Sequence, residues 1–113
     1  MIRIERHPLV RRDLRELARH VADVSGDPGA AERRLDQVDA LVADILANPN
    51  SGAFLSAKLP GWRVRHAGAD RRITIVFRLT KAGDCLQIAL VAFGGQNWMN
   101  TAPDRSAVSF AED

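Results

Sequence analysis

Between residues 58 and 81 the chain holds Lys58, Arg63, Arg65, Arg71, Arg72, Arg78 and Lys81 against one acid, Asp70. Guanidinium groups at this density bind carboxylates or phosphates, bidentately where the geometry allows. They are poor proton acceptors, because an arginine keeps its proton to above about pH 12. Any reaction run on this block therefore needs a second group to move a proton. The nearest are Lys58, ahead of the first basic strand, and His66, behind it. For His66, as for His7 and His20, an ordinary polar role in a turn or on a surface is the plainer account. A solvated basic face with no ligand is about as common a reason for such a block as an anion site.

Other chemistries fare worse. Asp36, Asp39 and Asp44 lie along one predicted helix with no histidine at ligand spacing, so a metal site is not indicated and no cofactor is expected. The lone Cys85 has no partner for an internal disulfide, which points to a reducing compartment, the cytoplasm. No apolar run approaches a membrane span, and Met1 to His7 alternates charge with isoleucine where a signal peptide would be apolar. Net charge is only +2, but it is unevenly spread: residues 1–47 carry eight arginines against nine acids, and residues 82–113 carry Arg105 against four. The basic block is thus a local feature, and its partners should be anionic.

A chain of 113 residues, 46% hydrophobic, makes one domain that folds without covalent help. Ile2 and Ile4 alternate with Arg3 and Glu5, which predicts an opening strand over residues 1–6. From Pro8 the spacing of Val10, Leu14, Leu17, Val21 and Val24 predicts a helix with one apolar stripe, its other face carrying Arg11, Arg12, Arg15 and Arg19. Ser25-Gly26-Asp27-Pro28 stops it and starts a second, with Asp27 as N-cap and Pro28 as the first helical residue. Ala31, Leu35, Val38, Val42, Ile45 and Leu46 carry that helix to Ala47, where Asn48-Pro49 ends it. So short a connection gives an antiparallel hairpin whose stripes need a sheet to cover them.

The sheet follows. Trp62 and Val64 alternate with Arg63 and Arg65; Ile73, Ile75, Phe77 and Leu79 alternate with Arg72, Thr74, Val76 and Arg78. Each strand is expected to show one apolar and one basic face, with Trp62 and Phe77 turned away from the arginines. Cys85 to Phe93 is apolar on both faces, with Leu86, Ile88 and Leu90 on one and Cys85, Ala89, Val91 and Phe93 on the other, as in a central strand. The result is an α+β fold: an N-terminal strand, then an antiparallel helical hairpin packed on a small antiparallel sheet. Residues 1–99 form the expected domain, and residues 100–113 are expected to be a tail, mobile or ordered by a partner.

The segments Leu59-Pro60-Gly61-Trp62-Arg63-Val64-Arg65, Asp70-Arg71-Arg72-Ile73-Thr74-Ile75-Val76-Phe77 and Ile88-Ala89-Leu90-Val91-Ala92-Phe93-Gly94, in this element order, resemble the RelE/ParE superfamily of bacterial toxins over residues 2–97. The resemblance implies one half of a type II toxin–antitoxin pair, of the kind associated with plasmid stabilization. Its members either cut messenger RNA on the ribosome or poison DNA gyrase. In the nuclease branch Arg63, Arg65 and Arg72, with Lys58, would be the catalytic set. That branch adds an arginine after the last strand and often a tyrosine near the C-terminus; this chain has Gln96 near the first position and no tyrosine. The two long helices joined by a four-residue turn are more similar to ParE, so the favoured reading is a non-enzymatic gyrase inhibitor, with the ribosome-dependent mRNA endonuclease as the alternative.

The resemblance also implies partners. A cognate ParD-like antitoxin with acidic side chains would meet the basic sheet at Arg63, Arg65, Arg72 and Arg78, and operator DNA would be reached only through that antitoxin. Gyrase contact would fall on Phe93, Gln96, Trp98 and Met99, although Trp98 serves equally as packing over the open end of the core. The apolar helix stripes also admit a homodimer. A plain nucleic-acid binder is disfavoured, because aromatic residues make up 5% of the chain and leave few platforms for base stacking.

Overall fold

A computed structural model of the chain describes residues 2–57, 59–68, 72–80, 82–93, 98–106 and 111–112. The elements in order are β1 (Arg3–Arg6), α1 (Val10–Ser25), α2 (Pro28–Ala47), β2 (Ala53–Phe54), β3 (Arg63–Ala67), β4 (Ile73–Leu79), β5 (Cys85–Phe93), α3 (Trp98–Ser106) and β6 (Ala111–Glu112). The strands form one sheet in the order β2-β3-β4-β5-β1-β6. The expected α+β architecture is present, with the α1/α2 hairpin on one sheet face. The sheet is mixed, not wholly antiparallel, because β1 runs parallel to β5. These two strands are neighbours in space but are joined through most of the chain, so no tight turn dictates their direction.

The hairpin forms where its caps require. Gly26 adopts φ 68° and closes α1 by donating its N–H to Ala22 O, a left-handed position suited to glycine. Asp27 accepts from Gly29 N at 2.9 Å, and Pro28 opens α2. The Asp27 carboxyl lies below its usual range, chiefly through Arg33 and then Gly29. A depressed carboxyl stabilises the fold above its unfolded pKa and loses that contribution as pH falls through its lowered folded value. Acid unfolding monitored by circular dichroism should therefore show a shallower low-pH limb for Asp27→Asn than for the native chain.

Two cores result, one on each sheet face. Under the hairpin, Val10, Leu17, Val38, Leu41 and Ile45 pack on Ile73, Ile75, Phe77, Leu86, Ile88 and Val91, with Ile2 and Ile4 alongside. On the other face, Trp62, Val64, Val76, Leu90 and Ala92 are covered by Ala102 and Trp98 of α3. The expected tail beyond residue 99 is thus partly a helix, and the 99/100 boundary falls inside it. Val24, placed on the apolar stripe of α1 by its spacing, is 75% exposed, because the helix end overhangs the sheet.

The strict two-residue alternation predicted for β5 breaks at Ala89. Val76 pairs with Leu90 and Phe77 with Ile88, so Ala89 has no opposite residue in β4. This bulge inverts the facing of everything beyond it. Leu86, Ile88 and Val91 lie under the hairpin, whereas Leu90 and Ala92 lie under α3.

Gly52, just before β2, has φ 86°, and a Cβ there would sit 2.5 Å from Val64 O. Gly52→Ala is expected to detach β2 from β3 and to lower stability by about 1–3 kcal/mol. Faster hydrogen exchange at the Ala53–Phe54 amides would report the detachment.

Candidate functional site

The predicted basic residues do not share one surface. Arg63 pairs with Phe77 and Arg65 with Ile75, so both arginines project from the hairpin side of the sheet. The expectation that Phe77 turns away from the arginine face is therefore incorrect: on β4 the hairpin side is apolar, while on β3 it is basic. Position in the sheet explains this. The hairpin covers β4, β5 and β1, and β3 lies one strand beyond, where its side chains run past the helices.

Arg65 reaches back to the helical layer, donating to Asp44 Oδ2 at 2.6 Å and to Ser51 Oγ at 2.8 Å. Arg63 lies over the exposed Phe54 ring, 4.3 Å from its centroid. Arg78 occupies the opposite face. It donates to Gln87 Oε1 at 2.6 and 3.0 Å and stacks over Trp62 at 4.5 Å. Gln87 in turn donates to Glu5 Oε1 at 2.8 Å, and this bond is the main reason that the Glu5 carboxyl is lowered. A polar ladder Arg78–Gln87–Glu5 thus crosses three strands. Arg72, exposed just ahead of β4, stands apart from the other three and lines a cleft of about 470 Å³ at the turn end of the hairpin.

The proton-transfer candidates are dispersed as well. His66 pairs with Thr74, on the face opposite Arg63 and Arg65. Its Nδ1 lies 2.8 Å from Thr74 Oγ1, and its ring meets Trp98 edge-on. His7 is buried and structural: Nδ1 accepts from Leu9 N at 3.1 Å at the start of α1, and burial, followed by Arg105, lowers its pKa. His20 stacks on Phe93 at 4.5 Å. Burial pushes the Cys85 thiol up, as suits a packing residue. Lys58 lies outside the described residues.

The four target-contact candidates also divide. Phe93 belongs to the hairpin side, packed against its core. Trp98 is half-buried against the second core, and Met99 beside it is 65% exposed. The two line an apolar groove of about 360 Å³ with Leu55, Leu59 and Pro103. Gln96 lies outside the described residues. The substitution Trp98→Ala is expected to lower stability by about 2 kcal/mol, less than for a fully buried tryptophan. Met99→Ala should leave stability within about 0.5 kcal/mol. Thermal denaturation of the two variants side by side checks this.

Sequence reasoning missed a buried ion pair. Arg105 of α3 and Asp13 of α1 are 4% and 6% exposed. Arg105 Nη1 and Nη2 meet the two carboxylate oxygens of Asp13, the second contact at 2.8 Å. Nη1 also donates to Ala89 O at 3.1 Å, and Asp13 Oδ2 accepts from Val91 N at 3.1 Å. These backbone groups belong to the bulged part of β5, past Ile88, where register with β1 ends. The pair therefore stands in for a missing strand neighbour. The available signal was Asp13 itself, three residues after Val10 and one before Leu14 on an otherwise apolar stripe.

The described residues thus combine an α-hairpin, a mixed sheet and basic side chains along β3 and β4. The family described as ParE toxin of type II toxin-antitoxin system, parDE, matches residues 4–98. The chain belongs to this family. A solved structure described as the chromosomal ParDE TA system from P. aeruginosa is similar in fold, with a TM-score of 0.65 and 20% identity, covering 82% of this chain and 96% of that one. No curated protein sequence matches. Among the described residues no helix is long and apolar enough to cross a membrane, and no group of metal-ligating side chains is found.

Proposed function

We propose that this chain is a cytoplasmic toxin that binds DNA gyrase, runs no reaction of its own, and is neutralised by a cognate antitoxin. Membership of the ParE toxin family carries the toxin class. The observation that favours gyrase over messenger RNA is the separation of His66 from Arg63 and Arg65 by the thickness of the sheet. Cleavage of RNA without a metal requires a proton acceptor beside the cations that stabilise the phosphorane. Here Arg65 is already held by Asp44, and the chain contains no tyrosine to supply the missing group.

Binding without chemistry needs only a complementary surface. Met99 and the groove beside Trp98 offer an exposed, apolar one. The test is induction of the chain in bacteria without antitoxin, with labelled thymidine and leucine incorporation followed over the first minutes. DNA synthesis is expected to fall first. A first fall in protein synthesis would overturn gyrase as the target, and Arg63, Arg65 and Arg72 would then be the residues to substitute.

A further inference from the structure

The cleft at the turn end of the hairpin is chemically unlike the rest of the surface. Its walls come from the last turns of α1, the first turns of α2, Arg72 ahead of β4 and Phe93 at the end of β5. Arg34 and Arg72 both line it, and neither has an acidic partner among the described residues. Among the described residues no carboxylate lines it. Asp27, the N-cap of α2, already accepts from Gly29 N and from Arg33 Nη2 at 3.1 Å. The N-terminal end of the 20-residue α2 adds positive potential on the same side.

The cleft is also apolar. Val21 and Val24 form one wall, and Val24 is the most exposed large aliphatic side chain among the described residues. Opposite, Phe93 is stacked on His20 with 22° between the rings. At about 470 Å³ the space exceeds one carboxylate side chain and accommodates an acidic and an apolar side chain together.

We propose that this cleft is a docking site for an acidic, apolar segment of the antitoxin. Carboxylates would sit on Arg34 and Arg72, and an aliphatic or aromatic side chain would cover Val24. Charge complementarity carries the assignment: two uncompensated guanidiniums face an apolar wall, in a chain whose net charge is only +2. A bare phosphate would leave Val21 and Val24 wet, and a purely apolar segment would desolvate both arginines without a partner. The site differs from the expected basic face in using Arg34 and Val24, which lie on the helices, and in omitting Arg63, Arg65 and Arg78.

The inference rests on the reading of the chain as a toxin neutralised by an antitoxin. The test measures the affinity of the purified full-length cognate antitoxin for the intact chain and its variants, with growth arrest on induction scored in parallel. Arg34→Glu is expected to weaken binding about 10-fold or more and to leave growth arrest in place, and Arg34→Glu/Arg72→Glu to weaken binding about 100-fold. Val24→Asp, at an exposed position that does not endanger folding, should weaken it about 10-fold. Arg11→Glu, the same charge change as Arg34→Glu but at the far end of α1, should change it less than about 3-fold. Undiminished affinity in the Arg34 and Val24 variants, or a loss in Arg11→Glu equal to that in Arg34→Glu, overturns the docking site and leaves the family assignment standing. A native chain that no antitoxin binds overturns the reading beneath it.

Discussion

Arg105→Ala is expected to lower the unfolding free energy by about 3–5 kcal/mol, a large share of the roughly 5–15 kcal/mol that holds a domain of this size. The guanidinium is buried between α3 and β5, and its removal strands the Asp13 carboxylate, 6% exposed, without a counter-charge. Urea unfolding followed by tryptophan fluorescence measures the loss, since Trp98 belongs to the same helix. The comparison is Arg65→Ala, whose partner Asp44 is 64% exposed and whose loss should amount to no more than about 1 kcal/mol.

A buried ion pair replaced at both ends by apolar residues is often no less stable than the original. Asp13→Leu/Arg105→Met should depart from that pattern. Val91 N and Ala89 O would lose their acceptor and donor at a place where β5 has passed the end of β1. Each unsatisfied backbone group costs about 1–3 kcal/mol. The double variant is therefore expected to remain clearly below the native chain, and equal stability would show that the pair does not substitute for a strand.

This clasp marks where the sequence ceases to be legible. The hairpin could be read closely, because the Ser25-Gly26-Asp27-Pro28 stop and restart is local chemistry: φ 68° at Gly26 and the Asp27 cap depend on neighbours in the chain. Strands β3 to β5 were legible as strands for the same reason. Their facing was not. Alternation says that Trp62 and Val64 oppose Arg63 and Arg65, but it does not say which face the hairpin covers. Only the sheet order, with β3 one strand beyond those under the centre of the hairpin, leaves room for the arginines on the hairpin side. A one-residue bulge at Ala89 leaves no mark in an apolar run such as Cys85 to Phe93. Arg105, 92 residues from Asp13, looks in sequence like one charge in a polar tail. Four arginines expected on one basic surface were thereby distributed among two sheet faces and a cleft.

The distribution of burial also decides which substitutions can inform on function, and Phe77 is the extreme case. Phe77→Ala removes a ring that is fully buried beneath the hairpin, beside the β5 bulge, and is expected to cost about 3–5 kcal/mol. For a domain near this length each kcal/mol lowers the melting temperature by roughly 4–8 °C, so the transition should fall by some tens of degrees or disappear. Growth arrest on induction should be lost with it, through a fall in folded protein and not through lost target contact. The same phenotype from Met99→Ala would carry the opposite meaning, because Met99 is exposed and its removal leaves the cores intact. Measuring soluble protein and melting temperature alongside growth separates the two. A Phe77→Ala chain that melts like the native one yet has lost toxicity would place Phe77 in the target contact, which its complete burial opposes.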